Sequence, residues 1–349
     1  MKHQNRRAAI HEATQLAFAP VAFQVARVMR ERGLLAALLE SGPQTTEELM
    51  AATGTSRYGV ETLGEAGISF GLNTWDGERW SITRTGRFLV TDEMTRVNMD
   101  FIHDVCFKGL FHLDEAIENG NAAGLKVFGD WPTVYEALSQ LPPQVQKSWF
   151  DFDHFYSDGA FPKVLPRVFA RKPQRLLDVG GNTGKWSIQC ATFDPDVQIT
   201  ILDLPGQLAK AYANIEAHGF SERIHGHPIN ILDAEQPFPT GFDAVWMSQF
   251  LVCFALDEVR HILKRGAAAL AEGGSLWIMD NYWDRQRNEV ARYALHGTSI
   301  YFTAIANGTS RVYSAEHMLE CVADAGLEVV GEYERLGVGG HTLWRCVRT

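Results

Sequence analysis

Basic charge is what this sequence is short of. Lysine and arginine number 32 against 42 aspartates and glutamates, a formal net charge of -10 at pH 7. A phosphate-rich partner needs a basic footprint to replace its counterions, so no nucleic-acid partner is expected. Cysteine is scarce as well. Cys106, Cys190, Cys253, Cys321 and Cys346 are dispersed, with no CxxC and no histidine at metal spacing. That pattern excludes a disulfide framework or a zinc site and suits a reducing cytoplasm. No run approaches the ~18 uninterrupted apolar residues of a bilayer span, so no membrane association is expected. The amino-terminal "MKHQNRRAAIHEATQLAF" is basic but has no continuous apolar core, and no signal peptide is read there. Repeats and low-complexity tracts are absent too.

What remains is an ordinary folding composition, 46% hydrophobic over 349 residues, longer than one comfortable core. Two domains are expected, 1–105 and 106–349. In the first, "PVAFQVARVMRERGLLAALLE" repeats its apolar residues at helical spacing. "TTEEL" reads as a capped helix start and "SRYGVETLGEAGI" as a second helix opened by Ser56. "FGLNTWDGERWSITRTGRFLV" reads as two short strands around Asp76-Gly77. Helix–turn–helix followed by a hairpin is the winged-helix pattern. Its recognition helix offers only Arg57 against Glu61 and Glu65, so a scaffold for dimerisation fits better than a DNA reader.

From about Arg96 to Ala170 the chain is rich in large aromatics, with "NMDFIHDVCFKGLFHLDEAI" and "SWFDFDHFYSDGAFPKVLPRVF" read as bulky-faced helices. Beyond Lys172 strand and helix alternate: "QRLLDVG", "VQITILDLP", "RIHGHPINIL", "FDAVWMSQFL" and "GSLWIMDNYW" are strands separated by amphipathic stretches, and "LEVVGEYERLGVGGHTLWRCVR" adds more. Such alternation gives a mainly parallel sheet with helices on both faces.

The sharpest signal is "LLDVGGNTGKWS", residues 176–187, a strand running through a glycine-rich turn into a helix. Gly180 and Gly181 let the backbone approach a ligand, and Gly184 lets the helix pack close. The next strand ends in Asp203, spaced to take ribose hydroxyls. These features leave NAD(P) and S-adenosylmethionine both open. The G-G-N-T-G spacing departs from the dinucleotide pattern, and Asp178 at the strand end suits a cationic ligand better than a pyrophosphate.

Taken together, "LLDVGGNTG", "ILDLP", "FDAVWMSQFLVCFALDEVRHILKRGAAAL" and "NGTSRVYSAEHMLECVADAGLEVV" resemble the class I S-adenosylmethionine-dependent O-methyltransferases. The nearer likeness is to the plant caffeate and hydroxyindole type and its bacterial natural-product counterparts, over essentially the whole chain. The resemblance implies an α/β fold: a Rossmann-like sheet binding S-adenosyl-L-methionine, preceded by a mostly helical winged-helix dimerisation domain, with acceptor-pocket helices at 106–170. It implies a homodimer and a small-molecule acceptor. Gly180 and Gly181 match the glycines under the methionine moiety, and Asp203 with Leu204 matches the ribose-binding segment. Asn230 and Ile231 fall where an acidic–apolar pair usually flanks adenine. Ser248 and Gln249 take the polar cofactor-contacting slot, and Tyr156 lies in the helix that closes over cofactor and acceptor.

One departure bears on the chemistry. Where this family carries a catalytic His followed by Asp and Trp, the chain has Val252, Cys253 and Phe254, an apolar trio that reads as a hydrophobic wall. Asp280 retains one flanking acid, and Ser310 stands near the other. His154, Tyr156 and His296 are candidate replacement bases beside Asp280. Methyl transfer from a sulfonium depends mainly on proximity and orientation, with general-base help worth ~10²–10⁴-fold. The family resembled acts mostly on oxygen, so the resemblance implies O-methylation of a hydroxylated aromatic or polyketide-like acceptor. Ring C-methylation, or loss of methyl transfer altogether, stands as the alternative, ahead of a DNA-binding regulator.

Overall fold

A computed structural model describes residues 5–233 and 235–349 and divides the chain into one unit ending at Asp100 and another running from Phe101 to Thr349. Phe101 opens the second unit. Its ring stacks on Phe152 at 4.0 Å and meets Tyr301 edge-on at 4.9 Å, which ties it to the second unit.

The first unit runs α1 (Arg6–Glu31), α2 (Leu34–Ser41), α3 (Thr46–Thr53), α4 (Arg57–Ser69), β1 (Asn73–Trp75), β2 (Trp80–Ile82), α5 (Arg84–Thr91) and α6 (Glu93–Phe101). Thr45 and Glu48 form a capping box at the start of α3, and Ser56 accepts the Gly59 amide to open α4. The strands pair antiparallel with Trp75 opposite Trp80. The second strand stops sooner than its pattern suggests. Thr83 accepts the Gly86 amide as an N-cap, and "RTGRFLV" continues as helix α5. A core of Met29, Leu34, Leu35, Leu38, Leu49, Val60 and Trp80 fills the unit. By contrast, Ile10, Leu16, Phe18 and Val21 of α1 are each at least half exposed.

The second unit opens with short helical pieces. A π turn (Ile102–Cys106) and a 3-10 turn (Gly109–His112) lead into α7 (Leu113–Asn119), and α8 (Val134–Ala137) precedes α9 (Pro143–Ser157) and α10 (Phe161–Val168). The long aromatic helix expected here breaks at Asp158–Ala160. Pro162 has no amide hydrogen to donate back, so it begins a new helix instead of extending the old one. Then β3 (Arg175–Val179), α11 (Lys185–Phe193), β4 (Gln198–Asp203), α12 (Pro205–Ala217), β5 (Ile224–Pro228), β6 (Phe242–Ser248), α13 (Leu256–Ala269), β7 (Leu270–Asp280), α14 (Glu289–Tyr301), α15 (Ala315–Asp324), β8 (Leu327–Leu336) and β9 (His341–Arg348) follow.

These strands form one seven-stranded sheet ordered β5-β4-β3-β6-β7-β9-β8. The first five are parallel, and β9 runs antiparallel between β7 and β8. β3 lies centrally, with β4 on one side and β6 on the other, so the chain order reverses there. The carboxyl ends of β3, β4, β6 and β7 then converge at a topological switch point, where open α/β sheets bind ligands. Apolar clusters cover both faces of the sheet. Directly behind the switch point, Trp186 of α11 stacks on Trp246 of β6 at 4.1 Å with both rings buried. Trp246→Ala is expected to destabilise the protein by about 3–5 kcal/mol, the usual loss for emptying a large aromatic site. Thermal and denaturant unfolding check this; a loss below ~1 kcal/mol would mean the stack bears little of the sheet's packing.

Candidate active site

Each side chain at the switch point is set by its strand end. Gly180 follows β3 with φ +73°, and its amide donates to Leu202 O at 2.8 Å. A Cβ there would lie 2.2 Å from Phe250 Cδ2, and one on Gly181 would lie 2.7 Å from Ile201 Cγ2 and 2.9 Å from Asp178 Oδ2. Only glycine lets the loop pass this close to β4 and β6. The loop is then pinned through Asp203. Asn182 N donates to Oδ2 at 2.8 Å and Leu204 N to Oδ1 at 2.7 Å. Burial raises the Asp203 carboxyl to about 6. Asp178, buried one strand over, accepts from Ser187 Oγ at 2.6 Å. Burial, then the charge on Asp203, lifts its carboxyl to about 7.

A chain of polar side chains crosses from there to β7. Asn182 Nδ2 donates to Asp153 Oδ2 of α9 at 3.1 Å, and Gln249 Nε2 lies 3.5 Å from Asp153 Oδ1. Gln249 Oε1 is 2.6 Å from His341 Nε2, and Asn281 Nδ2 is 3.0 Å from that same nitrogen. His341 is fully buried, which lowers its pKa to about 4 and keeps the ring neutral. Asn281 N in turn donates to Asp280 Oδ1 at 2.8 Å, and the Val252 amide donates to the same carboxyl group. Asp280 Oδ2 is buried with no protein partner, and burial raises this carboxyl to about 7. Asn182 Oδ1 and Ser248 Oγ are likewise buried and unpartnered. Spare acceptors and carboxylates without cations suit a cationic ligand with hydroxyl donors, not a pyrophosphate. An S-adenosylmethionine fits that lining.

Beside the polar chain stands an apolar wall. Val252, in the 3-10 turn Leu251–Cys253, belongs to a cluster with Phe101, Tyr301 and Phe302, against which Trp149 and Phe152 pack. Trp149 Nε1 donates to Tyr301 Oη at 2.7 Å. Cys253 joins this wall, and burial pushes its thiol well up, which removes it as a nucleophile. The third residue of the expected trio does not join. Phe254 turns out of the 3-10 turn into the separate core around β6 and β7, meets Phe250 at 4.8 Å, and its carbonyl accepts from Tyr313 Oη.

The candidate bases are not gathered at Val252. His154 Nδ1 is 3.5 Å from Asp158 Oδ1 and Nε2 is 3.5 Å from Thr183 Oγ1. It lines a cleft of about 580 Å³ with Phe150, Lys185, Lys210 and Asn214, to which neither Val252 nor Asp280 contributes. Tyr156 sits edge-on to Phe152 and Phe155 at 5.0 and 5.2 Å. His296 is exposed on α14, its ring 5.3 Å from Trp283. Asp280 alone of the four has a carboxyl bonded to the Val252 backbone. Of the expected adenine pair, Asn230 is exposed with Oδ1 accepting Leu232 N at 3.1 Å, and Ile231 is buried in the core with its carbonyl accepting Arg265 Nη1 at 2.6 Å. Asp153, Asn182, Asn281 and His341 were not singled out from the sequence. Among the described residues no cluster of His, Cys, Asp or Glu has a metal-holding arrangement, and no helix is long and apolar enough to cross a membrane.

Residues 133–328, more than half of the chain, match the O-methyltransferase domain family, and residues 11–80 match the Dimerisation2-like domain. L-tyrosine C(3)-methyltransferase of Streptomyces lavendulae is 26% identical over 93% of this chain and 88% of its own length. Demethylspheroidene O-methyltransferase of Cereibacter sphaeroides is 26% identical over 84% of this chain and 75% of its own. Among solved structures, an O-methyltransferase from neocarzinostatin biosynthesis, in complex with S-adenosylmethionine and 2-hydroxy-5-methyl naphthoic acid, superposes with a TM-score of 0.68. It is 20% identical and covers 95% of this chain and 96% of its own.

The buried carboxyls make stability depend on pH. Asp178, Asp203 and Asp280, at about 7, 6 and 7, stand above the ordinary ~4, so the folded chain binds more protons than the unfolded one across that window. Stability therefore falls as pH rises from about 4 to 7. His341, at about 4 against the usual ~6.5, opposes this below pH ~6.5 with a single proton. The ligand-free melting temperature should decline between about pH 5 and 7.5, and less steeply in Asp280→Asn. Identical slopes in wild type and variant would show that Asp280 ionises as freely as a surface carboxylate.

Proposed function

The chain belongs to the O-methyltransferase domain family and is an S-adenosylmethionine-dependent methyltransferase, and from that premise we propose that it methylates a hydroxylated aromatic or polyketide-like small molecule on oxygen, with Asp280 as the base. The observation that carries this reading is the Asp280 carboxyl group. The Val252 amide hydrogen-bonds to it, at the residue standing where the family's histidine would be, and its other oxygen is buried without a partner. The cofactor supplies a methyl group already activated on a sulfonium. What the chain must add is orientation and a place for the hydroxyl proton.

The roles divide accordingly. Gly180 and Gly181 admit the methionine end, Asp203 beside Leu204 takes the ribose hydroxyls, and Ser248 and Gln249 face the same ligand. Asn230 and Ile231 bound the adenine side, with Asn230 contributing backbone more than side chain because its Oδ1 is already bonded. Trp149, Phe152, Tyr301 and Val252 present aromatic and apolar surface to a flat acceptor, with Tyr156 at its edge. His154, in the cleft beside Lys185 and Asn214, and His296, exposed beside Trp283, stand outside this arrangement. A second reading, methylation of a ring carbon, is favoured by the relative that acts at C(3) of tyrosine and by the apolar Val252, since attack by carbon needs a base only afterwards.

The exposed Ile10, Leu16, Phe18 and Val21 of α1 lie within or beside the segment matching a dimerisation domain, which supports a two-fold homodimer. Arg57, the one basic residue of α4, is ion-paired to Glu47 and Glu61, which supports no nucleic-acid partner. A cytoplasmic location suits the scattered free cysteines.

Mass spectrometry of a phenol panel incubated with methyl-labelled S-adenosylmethionine tests the reading: label on oxygen supports it, label on carbon supports the second. Asp280→Asn is expected to lower O-methylation roughly 10²–10⁴-fold with S-adenosylhomocysteine affinity unchanged. Val252→His should also lower activity, because an unpartnered imidazole in the wall costs about 1–3 kcal/mol; a gain in rate would restore histidine as the missing base. Light scattering is expected to give a dimer at micromolar concentration and a monomer for Leu16→Glu combined with Phe18→Glu. A monomeric wild type counts against the dimer.

A further inference from the structure

We propose that Asp153 is the counter-ion for the α-ammonium group of S-adenosylmethionine, an assignment that rests on the methyltransferase reading above. Asp153 lies on α9, three residues before Tyr156. Its carboxylate bridges the two segments the cofactor must touch: Oδ2 accepts from Asn182 of the glycine loop at 3.1 Å, and Oδ1 lies 3.5 Å from Gln249 Nε2 after β6. Both partners are neutral amides. The nearest basic side chain, the His154 ring, stands 4.0 Å from Oδ2 and is closer to Asp158, which also takes Lys185 at 2.7 Å. Asp153 thus has a charge without a hydrogen-bonded counter-charge, and burial raises its carboxyl pKa.

The surroundings are acceptors. Asn182 donates from Nδ2 to Asp153 and leaves Oδ1 buried with no partner, and Ser248 Oγ is unpartnered beside Gln249. An ammonium brings three donors and one positive charge to such a lining. The sulfonium is the poorer match on energetic grounds. A carboxylate placed on it would stabilise a charge that disappears as the methyl group leaves, and so would oppose transfer. The ammonium keeps its charge throughout, so the same carboxylate strengthens binding without raising the barrier.

Asp153→Asn is nearly isosteric and still accepts from Asn182, which separates charge from shape. Calorimetry of wild type and variant with S-adenosylmethionine, S-adenosylhomocysteine and 5′-methylthioadenosine reads the assignment, since the last lacks the amino-acid end. Affinity for the first two is expected to fall by about ten- to a hundredfold and that for 5′-methylthioadenosine to stay within about twofold. Asp203→Ala, removing the ribose acceptor, should weaken all three. Unchanged affinities in Asp153→Asn, an equal loss for all three ligands, or a loss confined to S-adenosylmethionine would each overturn the ammonium assignment while leaving the methyltransferase reading intact. A wild-type protein that binds 5′-methylthioadenosine but neither of the other two would overturn both.

Discussion

Three carboxylates stand at the carboxyl ends of the sheet, Asp178 on β3, its neighbour Asp203 on β4, and Asp280 on β7 beyond β6, with no cation bonded to any of them among the described residues. Taking an ionised carboxylate out of water is expensive unless hydrogen bonds or an opposite charge compensate. Here compensation comes from hydroxyl and backbone donors alone, Ser187 for the first, Asn182 and Leu204 for the second, Asn281 and Val252 for the third. That arrangement explains why the loop after β3 must be glycine. The amide of Asn182 can reach Asp203 only if the chain passes where a Cβ on Gly181 would strike Ile201 and Asp178. The loop, the strand ends and the Trp186–Trp246 stack behind them are one construction around unneutralised acid. Without ligand its carboxyls hold protons to a higher pH than a surface acid does, and a cationic ligand would favour their release.

The same construction separates binding from chemistry. Polar side chains run from Asp203 through Asn182, Asp153, Gln249, His341 and Asn281 to Asp280. Apolar side chains of the Val252 cluster line the other flank. Asp280 is where the two meet. A buried neutral His341 is well suited to such a chain, because a charged imidazole would draw protons out of the neighbouring acids, whereas a neutral one only orients amides.

Much of this was legible in the sequence, for identifiable reasons. Strand–helix alternation is a local signal, and β3, β4, β6 and β7 lie where the apolar runs place them. Gly180, Gly181 and Asp203 follow from a fixed spacing between two consecutive strands. His341 and Asp153 do not. Gln249 meets them across 92 and 96 residues respectively, on β9 and on α9, and no spacing rule connects such elements. Singly, a histidine in a strand reads as core and an aspartate among helical aromatics reads as a solvated face. Phe254 illustrates the other kind of miss. The 3-10 turn ends at Cys253 and Phe254 is already extended, with φ -131° and ψ 154°, so the third of the successive apolar residues leaves the turn and faces a different core. His296 was a candidate by residue type alone, and its place on the exposed side of α14 depends on which face the aromatic cluster buries.

With Asp280 proposed as the base, Val252 bears on what kind of acceptor the site can use. The main chain at this position keeps its task, since the Val252 amide still holds Asp280. What is lost is an imidazole, whose usual pKa of ~6.5 is close to that of the carboxyl at about 7. On the proposed reading Asp280, at about 7, stands in for the missing ring in acid strength, but a carboxylate accepts along its own plane and cannot follow the acceptor as a longer side chain could. A phenol of ordinary pKa ~10 gives its proton to such a base uphill by about 4 kcal/mol. Electron-withdrawing substituents on the ring shrink that gap directly, and the nearby wall of Trp149, Phe152 and Tyr301 is aromatic, with the Tyr301 hydroxyl already accepting from Trp149 Nε1. On that reading, the combination of a fixed, buried carboxylate and an apolar wall would select for acidic, flat acceptors. The selection is made by the energetics of one proton transfer and not by any hydrogen bond to the rest of the molecule.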